Sequence, residues 1–359
     1  MRRRVFFTII FAAIIVGAIT WFIISRADSR PYVLEELICQ PLAGTDLQEF
    51  TQVSHQMSTI VTLKAHAKEK ETVERTFREA FDAIERMSLI FNRHDPRSEL
   101  YKLNEKAGKG EVKASRELGE VIYRSLEICR ETDGALDITI LPLLQLFTRK
   151  QKEGKKPTED ELKSALARVS YKKVSVSEDF TKVTLEEGVG IDLGATAKGY
   201  IVDQIAKIFQ KHGIKHALIQ AGGDTYALGR RGDRQLWRLG IRAPFNSQEI
   251  LQVIHIENAG ITTSGNYERG YTIEGRRYSH IFDPRTGRSA DNVPSVTVIA
   301  PDTFTADAFS TALNVLGSSG LELIEKRDGL SAYMVYSDDG TWQKARILQS
   351  SQFKKYLTE

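Results

Sequence analysis

Cysteine is scarce in this chain. Two occur in 359 residues, Cys39 and Cys129. They are too few and too far apart for a zinc site, and allow one disulfide at most in an exported protein. Cys129, in SLEICRETDG, falls on the apolar face of an expected helix, which favours a buried free thiol. An excess of one charge is also missing. With 50 Lys and Arg against 47 Asp and Glu the net charge is +3, and so balanced a chain argues against nucleic acid as the main partner. No repeat and no low-complexity tract is visible. A lipobox is lacking, since Cys39 in ELICQ lies well beyond the N-terminal apolar run. The glycine-containing segment DLGATAKGY has neither the GxxxxGK[ST] spacing of a Walker loop nor the GxGxxG of a dinucleotide fold.

Long uncharged runs are lacking too, with one exception. After MRRR, residues 5–25 carry no charge. At 1.5 Å per residue such a run spans a hydrocarbon core of about 30 Å. It is longer than the usual core of a cleaved signal, and WFIISRAD is a poor cleavage site. Residues 1–27 therefore read as an uncleaved anchor. Arg2, Arg3 and Arg4 stay in the cytoplasm by the positive-inside rule, and the rest lies outside the cytoplasmic membrane, on the periplasmic side. Residues 28–50 have no sustained period and read as a linker; 51–350 read as the folded domain.

Periodicity predicts its elements. MSTIVTLKAHA (57–67) alternates as a strand does. Residues 70–91 place Val73, Phe77, Phe81, Ile84 and Leu89 near helical spacing. Helices are also expected over 115–134, 158–169 (Thr158 and Glu161 forming a capping box), 196–213 and 305–317. KVSVS with KVTLEEG reads as a hairpin. HALIQAGG, WRLGIRAP, LQVIHIENAGITTSG, PSVTVIAP and SAYMVYSDDGTWQKAR read as strands. Helices mixed with antiparallel hairpins, without strict βαβ alternation, suggest an α+β domain.

Several segments are more polar or glycine-rich than a core requires. In DLGATAKGY a small-residue loop opens onto a helix whose free N–H groups and dipole suit a phosphate, and Lys198 adds charge; the alternative is a turn packed by small residues. In TADAFSTAL, Asp307 and Thr311 share one helix face as hard oxygen donors suited to Mg²⁺ or Ca²⁺. The alternative is Asp307 serving the dipole in the first turn, with Thr311 buried. In YSHIFDPRTG, His280 can take a proton near neutral pH, or be structural. In AGGDTYALG the glycines permit a tight turn ahead of Asp224.

In this order, the segments MST, SELYKLN, TDGALDITILPL, DLGATAKGYIVD, IQAGGDTYALG, TTSGNYER, YSHIFDPRTG and ADAFSTALNVLG resemble the ApbE flavin transferases, over about residues 57–323. The resemblance implies an α+β, T-fold-like domain of mixed helices and antiparallel sheets. It implies FAD as substrate, Mg²⁺ as cofactor, and transfer of FMN onto a Ser or Thr hydroxyl of an exported acceptor, such as an Nqr- or Rnf-type subunit, with release of AMP. Hydrolysis of FAD to FMN and AMP, or tethered FAD binding without turnover, are the alternatives. Carried across by motif, the Ala195 carbonyl, Asp307 and Thr311 are the implied metal ligands. Ser310 stands where some members have a second aspartate, which leaves a less acidic site. Met57, Phe91, Ala135, Leu136, Asp137, Asp192, Lys198 and Ile281 are implied FAD neighbours. His280 is the implied catalytic base, with Asp283 as second candidate. Asp224 is expected to anchor a turn or the acceptor peptide.

Overall fold

A computed structural model describes residues 32–244, 246–265, 270–338 and 344–357. The expected anchor, residues 1–27, lies outside these. Among the described residues no helix is long and apolar enough to cross a membrane.

The chain opens with strands β1 (Val33–Leu34), β2 (Ile38–Pro41), β3 (Gln48–Gln56) and β4 (Thr59–Ala67). Helices α1 (Lys70–Phe91) and α2 (Glu99–Asn104), strand β5 (Glu111–Lys113) and helices α3 (Arg116–Glu131), α4 (Leu141–Glu153) and α5 (Glu159–Leu166) follow. Then come hairpin β6 (Val174–Val176) and β7 (Lys182–Leu185), helix α6 (Ala197–Lys211), and strands β8 (Ala217–Ala221) and β9 (Asp224–Leu228). Next are β10 (Trp237–Ala243), β11 (Asn246–Ile256), β12 (Ala259–Gly265), β13 (Gly270–Ile273), β14 (Arg276–Ser279) and β15 (Ser295–Ala300). Helices α7 (Thr303–Leu316) and α8 (Gly320–Glu325) and strands β16 (Ser331–Tyr336) and β17 (Arg346–Gln349) complete it.

Ten strands form the central sheet, in the order β1-β3-β4-β8-β9-β12-β15-β16-β17, with β2 also on β3. Its paired strands run antiparallel. Alternate residues serve opposite faces. Val296, Val298, Ala332 and Met334 join the large core with α1, α6 and α7. Ile299 and Tyr333 join a second core with Trp237 and Ile254 of the β10–β11 ribbon and Phe353. A third, smaller core joins Leu143 and Phe147 of α4 to Ala165 of α5, Ile273 of β13 and Phe282.

Helix α1 forms where the 3.6 period predicts it, burying Val73, Phe77, Ala80, Phe81, Ile84 and Met87. Phe77 stacks on Phe209 of α6, ring centroids 5.5 Å apart. Each such side chain contributes about 1.5–3 kcal/mol by burial. The Thr158–Glu161 capping box is complete in both directions. Cys39 is exposed and Cys129 buried, both as free thiols.

The expected linker is corrected in part. Within 28–50, β1, β2 and the start of β3 pair into the sheet. Two and four residues are too short to display a period, and β2 is exposed throughout. Helices α2, α4 and α8 were not expected. In α4 the apolar residues crowd the first turns and no side chain caps the start, so neither cue was present. Helix α7 begins at Thr303, two residues before its expected start, because Asp302 is the cap and accepts from the Thr305 N–H.

Candidate active site

Two helix N-termini meet at the end of the sheet. Gly199 of α6 packs against the start of α7 so closely that a Cβ there would lie 2.5 Å from the Thr303 carbonyl oxygen. Gly260 of β12 approaches from the other side; a Cβ would lie 2.4 Å from the Thr303 nitrogen. The helices exchange bonds at this crossing. Asp203 of α6 accepts from the Thr303 and Phe304 N–H groups at 2.8 and 2.9 Å, capping α7 from outside. Asp307 of α7 accepts from the Gly199 N–H at 3.2 Å, satisfying an otherwise unpartnered donor of α6.

Asp307 is thus a second-turn residue, 3% exposed, and the first-turn dipole role belongs to Asp302. Beside it stands Lys198, with Nζ 3.7 Å from Asp307 Oδ2 and ion-paired to Asp224. Asp224 Oδ1 accepts from Thr262 Oγ1 at 2.8 Å. Burial, then the Asp224 charge, push the Asp307 carboxyl well above the usual range; Lys198 and the Gly199 N–H offset part of this. Asp224 is fully buried, and its two oxygens face Thr262 and Lys198. Its carboxylate thus bonds across to β12 and α6 rather than to the N–H groups of the Gly222–Gly223 turn.

The donor set suits a hard cation. Asp307 is a carboxylate short of positive charge. Thr311, one turn on and half-buried, adds a hydroxyl. Because the Gly199 N–H turns to Asp307, no backbone N–H among the described residues takes the Ala195 carbonyl. No cluster of three or more His, Cys, Asp or Glu among the described residues could hold a metal. One carboxylate with neutral oxygens matches Mg²⁺, which completes its shell with water and substrate phosphates. Ser310 is buried and donates to the Asp307 carbonyl at 2.8 Å.

The loop before α6 is clamped on both sides. The Asn104 side chain, at the end of SELYKLN, bonds the Ile191 N–H and carbonyl at 2.8 and 2.9 Å. The Asp192 N–H donates to Ile138 O at 2.8 Å, which joins the TDGALDIT segment to the loop. Asp192 caps Gly194 N–H at 2.9 Å and is ion-paired with Arg93. Ala135 and Leu136 are buried. Asp137 is a fastener, accepting from the Thr139 N–H and hydroxyl and the Tyr171 N–H.

Met57 and Ser58 form the β3–β4 turn, both left-handed, with φ of +53° and +56°. Such non-glycine residues are costly and mark sites under constraint. Phe91 is 8% exposed and meets the Tyr200 ring edge-on at 5.8 Å. His280 and Ile281 follow β14 in a loop closed by the Ala290 N–H to Ile281 O bond, 2.9 Å; His280 is half-buried and Ile281 buried. Both oxygens of Asp283 accept from the Arg285 guanidinium, at 2.8 and 3.0 Å.

Four contributors were not legible beforehand. Asp203 and Thr262 act through partners 100 and 38 positions away. Arg93 meets Asp192 across the fold. His94 follows it, its pKa lowered by burial and by Arg93. Asp203 and Thr262 lie within the segments DLGATAKGYIVD and TTSGNYER, which give no hint of what they bond; for Arg93 and His94 the signal was the polar run NRHD directly after an apolar helix face.

Comparison with known proteins gives the family. Residues 57–334 match the ApbE family. The FAD:protein FMN transferase of Escherichia coli K12 is 32% identical over 267 residues, covering 72% of this chain and 75% of that one. The protein of the same name from Treponema pallidum is 30% identical over 320 residues, covering 84% and 88%. The crystal structure of the ApbE protein from Thermotoga maritima superposes with a TM-score of 0.79 at 29% identity, covering 87% of this chain and all of that one. The flavin transferase ApbE from Vibrio cholerae gives 0.72 at 25% identity, covering 91% and 100%. The chain belongs to the ApbE family of flavin transferases.

Proposed function

We propose that this protein transfers FMN from FAD to a Ser or Thr hydroxyl of an acceptor protein, releasing AMP, in a Mg²⁺-dependent reaction. The observation that carries this reading is the Lys198–Asp224–Asp307 cluster at two facing helix N-termini. It sets one ammonium and the N-terminal dipole end of α6 against a diphosphate. Asp307, Thr311 and the Ala195 carbonyl would hold Mg²⁺, whose contribution when bound is to neutralise diphosphate charge.

The chain's own groups do the rest. Lys198 and the α6 N-terminus hold the diphosphate. Ala135, Leu136, Ile281 and the Met57 turn border the flavin. The acceptor hydroxyl oxygen attacks the FMN-side phosphorus. The bond from that phosphorus to the bridging oxygen breaks, and AMP leaves with that oxygen. His280 takes the hydroxyl proton. Positioning and electrostatics carry most of the rate, as in other phosphoryl transfers.

The acceptor is read as an exported flavoprotein of Nqr or Rnf type. Residues 1–27 are read as the anchor that holds the domain on the periplasmic face of the cytoplasmic membrane. Retention of the full chain, but not of residues 30–359, in washed membranes supports that placement; equal release of both would refute it.

The test of the activity is intact mass. The domain is mixed with FAD, Mg²⁺ and an Nqr- or Rnf-type acceptor domain. A mass gain equal to FMN on the acceptor, with AMP in solution and neither without Mg²⁺, is expected. AMP without a mass gain would favour hydrolysis. Retained FAD with no product would favour a flavin binder.

A further inference from the structure

Asp224 is a carboxylate with no exposure, sealed beneath Lys198. A buried charge costs several kcal/mol unless its partners are well placed. Here they are. Thr262 lies directly opposite on β12 and donates to Oδ1 at 2.8 Å, which fixes the carboxylate's rotation. Oδ2 then faces the Lys198 ammonium. Lysine is a point charge on a flexible stem with many rotamers. Left alone, its ammonium would sample many places at the mouth of the site. Tied to Asp224 it stays 3.7 Å from Asp307 Oδ2.

We propose that Asp224 is a positioning residue: with Thr262 it fixes the Lys198 ammonium at the point where the diphosphate of the substrate must sit. The inference rests on the diphosphate reading of the cluster and adds a residue whose hold on the diphosphate runs through Lys198. Removing the Asp224 charge leaves Lys198 free to attract a diphosphate, so ground-state binding survives. The ammonium is no longer held where charge builds on the departing phosphate, so the loss falls on turnover.

The test is a double-mutant cycle with Asp224→Asn, Lys198→Met and the pair, reading kcat, KM for FAD, and the Kd of ADP by calorimetry. Asp224→Asn is expected to lower kcat about 10- to 100-fold, as loss of an orienting partner does. KM and the ADP Kd should stay within about threefold or tighten. In the Lys198→Met background, Asp224→Asn should lower kcat no further. Thr262→Val keeps the charge and should act in the same direction, by about tenfold. It also serves if Asp224→Asn fails to fold. Equal losses in both backgrounds, or ADP binding weakened in Asp224→Asn as much as in Lys198→Met, would overturn the proposal. So would wild-type kcat in both Asp224→Asn and Thr262→Val. A wild-type enzyme that binds ADP but makes no AMP would instead refute the transferase reading, and the ADP arm would still report on Asp224.

Discussion

Asp307 has three roles that could conflict: it caps α6 through Gly199, repels Asp224, and, in the function proposed above, would supply the one carboxylate for a cation. They coexist because Lys198 stands between the two carboxylates. Asp307→Asn keeps the shape and an acceptor for the Gly199 N–H but loses the charge. It should remove Mg²⁺-dependent AMP release by at least about 100-fold while melting within a few degrees of wild type. Wild-type turnover in that variant would remove Asp307 from the ligand set. At His280 the expected loss on substitution by Ala is about 10²–10⁴-fold, with the acidic limb of the pH–rate profile gone. A large loss with an unchanged profile would make His280 an orienting group rather than the base.

The crossing of α6, α7 and β12 sets where these side chains stand. A methyl at Gly260 would overlap the Thr303 nitrogen and the Asp302 carbonyl carbon, both backbone and both unable to yield locally. Gly260→Ala should therefore push α7 outward, destabilise by about 1–3 kcal/mol, and cut activity more than an equally destabilising change elsewhere. Unfolding in urea beside kcat measures both. The β3–β4 turn offers the opposite change. Ser58 is left-handed without being glycine, so Ser58→Gly should stabilise the fold by about 1 kcal/mol, read as a rise in melting midpoint. No rise would mean that the Ser58 side chain contributes what its backbone loses.

At the scale of the whole molecule, the elements were legible where a period or a cap is local. Helix α1 announces itself by its apolar spacing, and α5 by Thr158 and Glu161. Asp307 and Thr311 share a face by spacing alone. What the sequence hides is whatever depends on contacts across the chain. The clamp of Asn104 on Ile191, the Arg93–Asp192 pair and the Thr262–Asp224–Lys198 line join segments tens of residues apart, and no window contains both partners.

Global stability also carries a buried signature. Burial pushes Asp203 up to about 6 from an ordinary 3.8, partly offset by the Phe304 N–H. The folded state therefore binds a proton that the unfolded chain has released between about pH 4 and 6. The contribution of this group to stability falls as pH rises through that window and is level above it. A shift of this size corresponds to on the order of 3 kcal/mol. In EDTA, the melting temperature of wild type minus that of Asp203→Asn should decline from pH 4 to 6 and then flatten; a difference independent of pH would show that Asp203 does not titrate there.

The central claim is transfer at the Lys198–Asp224–Asp307 cluster rather than hydrolysis. Its most direct measurement is the ratio of AMP released to FMN attached, followed over time with FAD, Mg²⁺ and acceptor in one vessel. The account predicts one AMP per FMN on the acceptor, and negligible AMP when the acceptor's hydroxyl residue is replaced by Ala. AMP accumulating at the same rate with either acceptor, without attached flavin, would contradict it.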